Sequence, residues 1–126
     1  MSKSLNDIYD KLINALYLKY KHIIKRVTSQ YRGNRIIKVR IIFLDNSFLD
    51  IFWSSSGKYS LHWERRHIDN TLYRYDNAPH WKDIPTFPKH FHNGSEDNVT
   101  ISNLPDNPFE AIMQFLDFIA HMLMKK

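Results

Sequence analysis

The sequence predicts a single α+β domain over residues 1–126: an N-terminal helix, a four-stranded antiparallel meander, an irregular histidine- and proline-rich loop and a C-terminal helix. Three observations lead to this prediction. Apolar residues recur at helical spacing at the start of the chain, alternate with polar residues from Arg35 to Asp76, and return to helical spacing after Asn107. A chain of 126 residues has the usual length of one domain and can bury one core.

The first predicted helix begins at Ser4, which can cap it together with Asp7. Its apolar positions share a spacing of three or four residues: Leu5, Ile8, Leu12, Leu16, Tyr20, Ile23 and Val27. They predict a long amphipathic helix that includes Val27. The other face carries basic residues, which suit either contact with solvent or binding of phosphate: Lys11, Lys19, Lys21, Lys25 and Arg26.

Turn residues divide the alternating stretch into strands near 35–44, 48–54, 59–67 and 71–76. Short connections make neighbouring strands antiparallel. Alternation predicts an apolar core face with Ile37, Val39, Ile41, Phe43, Leu49, Ile51, Trp53, Tyr59, Leu61 and Trp63. The opposite face collects Lys38, Arg40, Asp50, His62, Glu64, Arg66, Arg74 and Asp76. This polar face is either a solvated surface with cross-strand ion pairs or a functional surface.

The segment after Asp76 is predicted to be irregular, because prolines recur at Pro79, Pro85, Pro88 and Pro105. A short strand is expected at 99–101. Asn107 and Pro108 then have the cap and first-turn proline of a helix that runs to about Met124. Its apolar surface is wider than one core contact needs, and it predicts a homodimer or partner contact through Phe109, Phe115, Phe118 and Met122.

Composition narrows the classes of function. The chain has no cysteine, which excludes disulfides, thiolate metal sites and cysteine nucleophiles and fits a cytoplasmic protein. The first residues reach charged side chains at once, so we expect no secretory leader. A net charge of +5 favours a polyanionic partner such as RNA. No phosphate-binding glycine loop or nucleophile elbow is present.

Histidines are dense around the end of the predicted sheet. Metal-free RNA cleavage needs a base, an acid and cations, and histidine suits either proton transfer. The candidate catalytic residues are His62, Arg74, Asp76, His80, His90 and His92. The candidate nucleic-acid contacts are Lys38, Arg40, Arg66, Trp81 and Lys89, where Trp81 can stack on an unpaired base. The alternatives are aromatics that pack the loop onto the core and histidines that fix the loop.

We expect no metal or other cofactor, because no cysteine or paired-carboxylate pattern accompanies the histidines. The alternative is a zinc site in which His90 and His92 join His80 or His62.

Two blocks of the sequence resemble the TumE family of toxins: Arg74-Tyr75-Asp76-Asn77-Ala78-Pro79-His80 and Pro88-Lys89-His90-Phe91-His92. The resemblance covers about residues 35–124. It implies the toxin component of a two-gene module, paired with a small antitoxin protein. It marks His62, Arg74, Asp76, Asn77, Pro79, His80, Pro88, His90 and His92 without giving them catalytic roles.

The sequence therefore predicts a toxin that cleaves or binds RNA without metal through its histidine-rich face. Two alternatives remain: a non-catalytic module that binds nucleic acid or protein, and a phosphodiesterase whose metal is held by histidines. Strand parity further predicts that His62, Arg74, His80 and at least one of His90 and His92 line one cleft.

Overall fold

Seven strands form one antiparallel sheet in which every strand pairs with its neighbours in the chain. The computed structural model describes residues 4–125. The strands are β1 Ile24–Arg32, β2 Arg35–Phe43, β3 Phe48–Trp53, β4 Tyr59–Arg65, β5 Thr71–Asp76, β6 His90–Gly94 and β7 Val99–Thr100. The helices are α1 Leu5–Ala15, which continues as a π-helical turn over Leu16–Tyr20, the one-turn α2 Arg66–Asp69, and α3 Pro108–Met124.

The α+β class is confirmed, and the four predicted strands correspond to β2–β5. The sheet, however, is wider than four strands, because β1 lies before the predicted meander and β6 and β7 lie after it. The short strand expected at 99–101 is present as β7, which pairs with β6.

The prediction that the first helix includes Val27 is wrong. Helical backbone ends at Tyr20, and β1 pairs with β2 along its length. Val27 belongs to a run with several β-branched residues, which favour strands. Gly33, with a φ of 65°, then turns the chain back toward Arg35. The pairing of β1 with β2 therefore prevailed over the helical spacing of Ile23 and Val27.

The prediction that 77–92 is irregular throughout is also wrong. Residues 77–89 contain neither helix nor strand, but His90 begins β6, which pairs with β5 from Asp76↔His90 to Leu72↔Gly94. The prolines stop short of this strand, so His90, Phe91 and His92 are free to make sheet hydrogen bonds. Two of the candidate histidines therefore stand on regular backbone.

The core lies between one face of the sheet and the helices α1 and α3. Nine of the ten predicted core-face residues are buried, and Trp63 is enclosed by Phe43, Tyr73 and Phe118. Ile37 is the exception. The register between β1 and β2 shifts between Gln30 and Tyr31, which leaves Ile37 without a partner on β1. Ile36 therefore takes the buried position instead.

Helix α3 begins as predicted, with the Asn107 side chain accepting from the Glu110 backbone N–H at 3.0 Å. Phe115 is buried, whereas Phe109, Phe118 and Met122 are half-buried. Helix α3 thus buries most of its apolar surface within its own chain, and the homodimer stays a prediction with little exposed surface to support it. Within residues 4–125, no helix combines the length and apolar character needed to cross a bilayer.

Candidate active site

A row of polar side chains crosses the face of the sheet opposite the helices. Strand register pairs Arg40 with Asp50, Asp50 with His62, His62 with Arg74, and Arg74 with His92. Paired residues on antiparallel strands point to the same face. The row therefore spans five strands, β2–β6, and brings His62, Arg74 and His92 together through the backbone pairing of the sheet.

The β2–β3 end of this row is closed by ion pairs. Arg40 donates two hydrogen bonds to Asp50, at 2.7 and 2.9 Å, and its guanidinium lies over the Phe48 ring. The ammonium of Lys38 is 3.5 Å from the same carboxylate. Lys38 and Arg40 thus share one counterion, and their predicted contact with nucleic acid stays a prediction.

Glu64 organises the middle of the polar face. Its carboxylate accepts bonds from the backbone and guanidinium of Arg66 and lies 2.9 Å from His62 Nε2. The Arg66 hydrogen bonds lower the pKa of Glu64 to about 2, against the opposing effect of burial. Arg66 was expected on the strand, but the strand ends at Arg65. Arg66 instead begins α2 and turns back onto Glu64.

Arg74 connects the two halves of the row. Its guanidinium donates to His62 Nδ1 at 3.2 Å, to Asp76 at 3.0 Å and to Glu96 at 3.2 Å. Because Arg74 can only donate, His62 Nδ1 is the acceptor, and Nε2–H points to Glu64. Burial opposes the charge of Arg74, but its bonds to Glu96 and Asp76 raise its pKa.

Asp76, His90 and His92 form a compact group at the β5–β6 end, here termed the Asp76 cluster. His90 Nε2 is 3.1 Å from one Asp76 oxygen, and His92 Nε2 is 3.7 Å from the other. Their ligand atoms all lie within 4.8 Å of one another. All three residues are buried, with His90 1% and His92 3% exposed.

The backbone fixes both histidines of the Asp76 cluster in one tautomer. His90 Nδ1 lies 3.0 Å from the Pro88 carbonyl and His92 Nδ1 lies 2.9 Å from the Glu96 carbonyl. A carbonyl only accepts, so both Nδ1 atoms carry hydrogen. Burial lowers the pKa of His92, which favours its neutral form. The neutral ring then presents a bare Nε2 toward Asp76.

A cleft of about 760 Å³ opens beside the Asp76 cluster. The segment after β5 forms one wall and contributes His80, an exposed residue, and Trp81, which is 40% exposed. The sheet, the β3–β4 turn and the β6–β7 turn supply the remaining wall, which includes Phe52, Lys58, Arg74, Asp76, His90, His92, Glu96 and Asp97. A cleft of this size can hold a ligand of one or two nucleotides.

The structure thus brings together His62, Arg74, Asp76, His80, His90 and His92, either on the cleft wall or through direct contact with it. Trp81 joins them. Lys89 does not line the cleft, because its ammonium pairs with Asp106 instead. The catalytic and binding roles assigned to all of these residues stay predictions.

Several residues of the cleft wall were missed in the sequence, among them Phe52, Lys58, Glu96 and Asp97. Glu96 bonds to Arg74 and, through its carbonyl, to His92. The sequence held a signal for it, since Gly94-Ser95 marks a turn and a hairpin there brings Glu96 back beside His92. Because the segment after Asp76 was predicted to be irregular, this hairpin was not predicted.

Comparison with protein families decides the affiliation of the chain. The sequence profile of the family described as Toxin TumE matches residues 13–123. The chain belongs to the TumE toxin family. No curated protein and no solved structure matches it. The family match extends beyond the two blocks that carry the resemblance and includes β1, all but the last residue of α3 and every residue of the Asp76 cluster.

Proposed function

We propose that this TumE-family member is the toxin of a toxin–antitoxin pair and that it cleaves RNA in the cleft beside the Asp76 cluster. One observation carries the proposal: a single cleft combines a cation, an accessible histidine and an exposed aromatic ring, in Arg74, His80 and Trp81. These are the groups that phosphodiester cleavage and the binding of unpaired bases require.

Binding of RNA would begin with one base on Trp81 and one phosphate on Arg74. The indole ring is accessible, and base stacking on such a ring tolerates any sequence. Arg74 is already paired with Glu96, whose side chain is 49% exposed. A phosphate can displace an exposed carboxylate from a guanidinium because it offers the same bidentate acceptor geometry.

Proton transfer in this proposal falls first to His80. It lies on irregular backbone at the cleft wall and is exposed, so a ribose hydroxyl or a leaving oxygen can reach it. His62 contacts Arg74 but does not line the cleft. His90 and His92 also line the cleft, but both are almost fully buried, so only a small part of each ring is accessible from it. In the metal-free form expected from the sequence, side chains alone carry this chemistry.

The rest of an RNA strand could follow a basic path away from the cleft. Phe52 lines both the cleft and a neighbouring depression that contains Arg32 and Arg35. Among residues 4–125, neither arginine has a carboxylate within ion-pair distance, whereas Lys38, Arg40 and Arg74 all do. Accessible positive charge is therefore present at Lys58 on the cleft wall and, next to the cleft, at the β1–β2 turn.

The proposal is tested first by expression in a host without the antitoxin and by incubation of purified protein with short single-stranded RNA. We expect growth arrest and RNA cleavage from the wild type. His80→Gln should slow cleavage about 100-fold or more, in the range typical of a lost acid or base. His121→Gln is the matched control, because His121 is an exposed histidine on α3, away from the cleft.

Two outcomes contradict the catalytic proposal. If the wild type arrests growth and binds RNA without cleaving it, the protein is a non-catalytic binding module. If folded His80→Gln cleaves RNA as fast as His121→Gln, the proton-transfer role of His80 is wrong. A search for a small reading frame next to the gene, followed by co-purification of its product with this protein, would test the antitoxin partnership separately.

A further inference from the structure

We infer that Asp76, His90 and His92 bind a divalent transition-metal ion at the wall of the cleft. This inference deepens the proposed function, since the same cleft is involved, and it reverses the expectation that no metal takes part. The sequence placed the two histidines on an irregular loop. The structure places them on one strand, directly opposite or diagonal to Asp76.

The first argument is the direction of the lone pairs. The carbonyls of Pro88 and Glu96 hold the Nδ1–H groups of His90 and His92, so both Nε2 atoms point toward a carboxylate. When both rings are neutral, each Nε2 lone pair faces a carboxylate oxygen, and a cation between them would be bound by the histidines and the carboxylate together. Metal-binding histidines share this arrangement, in which the second ring nitrogen donates to a backbone carbonyl and orients the first toward the metal.

The second argument is spacing. Two ligands that each bind zinc at about 2.0–2.2 Å lie roughly 3–3.5 Å apart in a tetrahedral site. The contacts of Asp76 with His90 and His92 measure 3.1 and 3.7 Å and are made through its two different carboxylate oxygens. The three ligand atoms converge within 4.8 Å. Small side-chain rotations therefore suffice to bring all three to one ion, and the paired strands β5 and β6 hold their backbones in place.

The third argument is charge. Arg74 lies beside Asp76, which would weaken cation binding if its charge were free. Glu96 neutralises that charge, however, because both of its carboxylate oxygens accept hydrogen bonds from the guanidinium. Of the charged groups on the cleft wall, two are cations, Lys58 and Arg74, and three are carboxylates, Asp76, Glu96 and Asp97. The carboxylates of the wall thus outnumber its cations, which favours binding of a cation, and a divalent ion would add to the positive charge that Arg74 offers a phosphodiester.

The ligand set also indicates the class of ion. Two imidazoles and one carboxylate suit zinc, manganese or iron, whereas magnesium prefers oxygen ligands alone. Three protein ligands beside an open cleft leave coordination positions for water or substrate, as in catalytic metal sites. When bound, the ion supplies Lewis-acid stabilisation of a phosphate or of its attacking oxygen. His80 would keep its role in proton transfer.

The test uses full-length protein without a histidine tag, stripped with chelator and titrated with Zn²⁺, Mn²⁺ or Mg²⁺ in a calorimeter. We expect one Zn²⁺ per chain and little response to Mg²⁺. His90→Gln and His92→Gln should weaken Zn²⁺ binding about 100-fold or more, since even outer-shell changes weaken binding about 10–100-fold. His121→Gln should bind as the wild type does. Equal Zn²⁺ affinity in all three variants, or none in the wild type, overturns the inference.

A second measurement needs no variant and covers the case in which a buried substitution unfolds the chain. In wild-type protein labelled with ¹⁵N-histidine, Zn²⁺ should shift the Nε2 resonances of two rings and leave their Nδ1–H groups in place. Shifts confined to exposed histidines such as His121 would contradict the site.

The failure of this inference is distinguishable from that of the proposed function. Zinc binding by the Asp76 cluster in a protein that leaves RNA intact would sustain the metal site and refute RNA cleavage. RNA cleavage by chelator-stripped protein that binds no Zn²⁺ would do the reverse.

Discussion

The two ends of the polar row differ in how their charges are satisfied. At the β2–β3 end, Asp50 is matched by Arg40 and Lys38, and each acceptor faces a donor. At the β5–β6 end, Asp76 accepts one hydrogen bond from Arg74 and also faces the Nε2 atoms of two histidines, at 3.1 and 3.7 Å. Both ends are built from cross-strand neighbours on the same sheet face. One polar sheet face thus carries closed ion pairs at one end and, at the other, the groups to which we assign chemistry.

The middle of the row shows where that change occurs. His62 has both ring nitrogens engaged, since Nδ1 accepts from Arg74 and Nε2–H points to Glu64. His92, two strands away, uses only Nδ1 for the fold and leaves Nε2 for the cleft. Arg74 lies between His62 and His92 in the row. Its guanidinium donates to His62 on one side and to Asp76 and Glu96 on the other. Substitutions on either side of Arg74 should therefore have different consequences.

The largest expected effect follows replacement of Arg74 itself. Arg74→Ala should reduce RNA cleavage about 100-fold or more, because it removes the cation proposed to hold phosphate in the cleft. The matched control is Asp50→Asn, which breaks an ion pair of the same row at its other end. It should leave the cleavage rate close to that of the wild type. Rates on one RNA substrate, with folding checked by circular dichroism, would decide.

Equal loss of activity in Arg74→Ala and Asp50→Asn would show that the whole row acts as one unit. A gain of RNA affinity in Asp50→Asn would instead mean that freed Lys38 and Arg40 bind RNA, as the sequence predicted.

Much of this row could be predicted from strand parity. His62, Arg74 and Asp76 alternate with apolar residues, and the turns on either side of their strands are marked by Asn, Asp, Ser and Gly. Two limits were physical. His90 and His92 alternate with Phe91 only over a strand of five residues, too short for a clear period next to so many prolines. The tautomers depend on the carbonyls of Pro88 and Glu96, which only the folded backbone brings near.

The pairing partner of His62 shows a further limit. Symmetric counting about the turn at Asp69-Asn70 places position 77 opposite His62, whereas the structure pairs His62 with Arg74. The difference arises because the end of the predicted third strand forms α2, and Asn70 with a φ of 66° closes it. Residues of a helical turn take no part in strand pairing, so the register moves by three positions. The order of β2–β5 was accessible from the sequence, but the register between β4 and β5 was not.

Trp81 provides the second test, now within the cleft. Trp81→Ala should weaken binding of single-stranded RNA by about 1–3 kcal/mol, the range for one base stacked on an aromatic ring. Trp81→Phe keeps a ring and should recover most of that loss. Phe87→Ala is the control, because Phe87 is a similarly exposed aromatic residue that does not line the cleft. Fluorescence anisotropy of labelled RNA measures all three, and equal effects of Trp81→Ala and Phe87→Ala would contradict stacking in the cleft.

Glu64 tests the structural half of the row through pH. Its pKa in the folded state, about 2, is lower than its usual value of 4.5, so its stabilisation is present above pH 4.5 and is lost as pH falls toward 2. Glu64→Gln should reduce the free energy of unfolding at neutral pH by about 1–2 kcal/mol. It should also flatten the acid limb of the stability curve. Urea titrations at several pH values would measure this, and an unchanged acid limb would contradict it.

The smallest expected effect concerns Arg32 and Arg35, which face each other across the β1–β2 turn. Like charges in directly opposed positions destabilise a sheet, and opposite charges stabilise it by about 0.2–1 kcal/mol. Arg35→Glu should therefore make the protein slightly more stable to urea, since the introduced carboxylate would pair with Arg32.

If the basic path from the cleft carries RNA, the same change should weaken RNA binding and reduce its salt dependence. Arg26→Glu, an equal charge change on β1 away from the turn, is the control. If Arg35→Glu gains stability and keeps full RNA affinity, RNA binds in the cleft and not along the basic path. If it gains stability and loses RNA affinity, the two like charges at this turn cost stability but contribute to RNA binding.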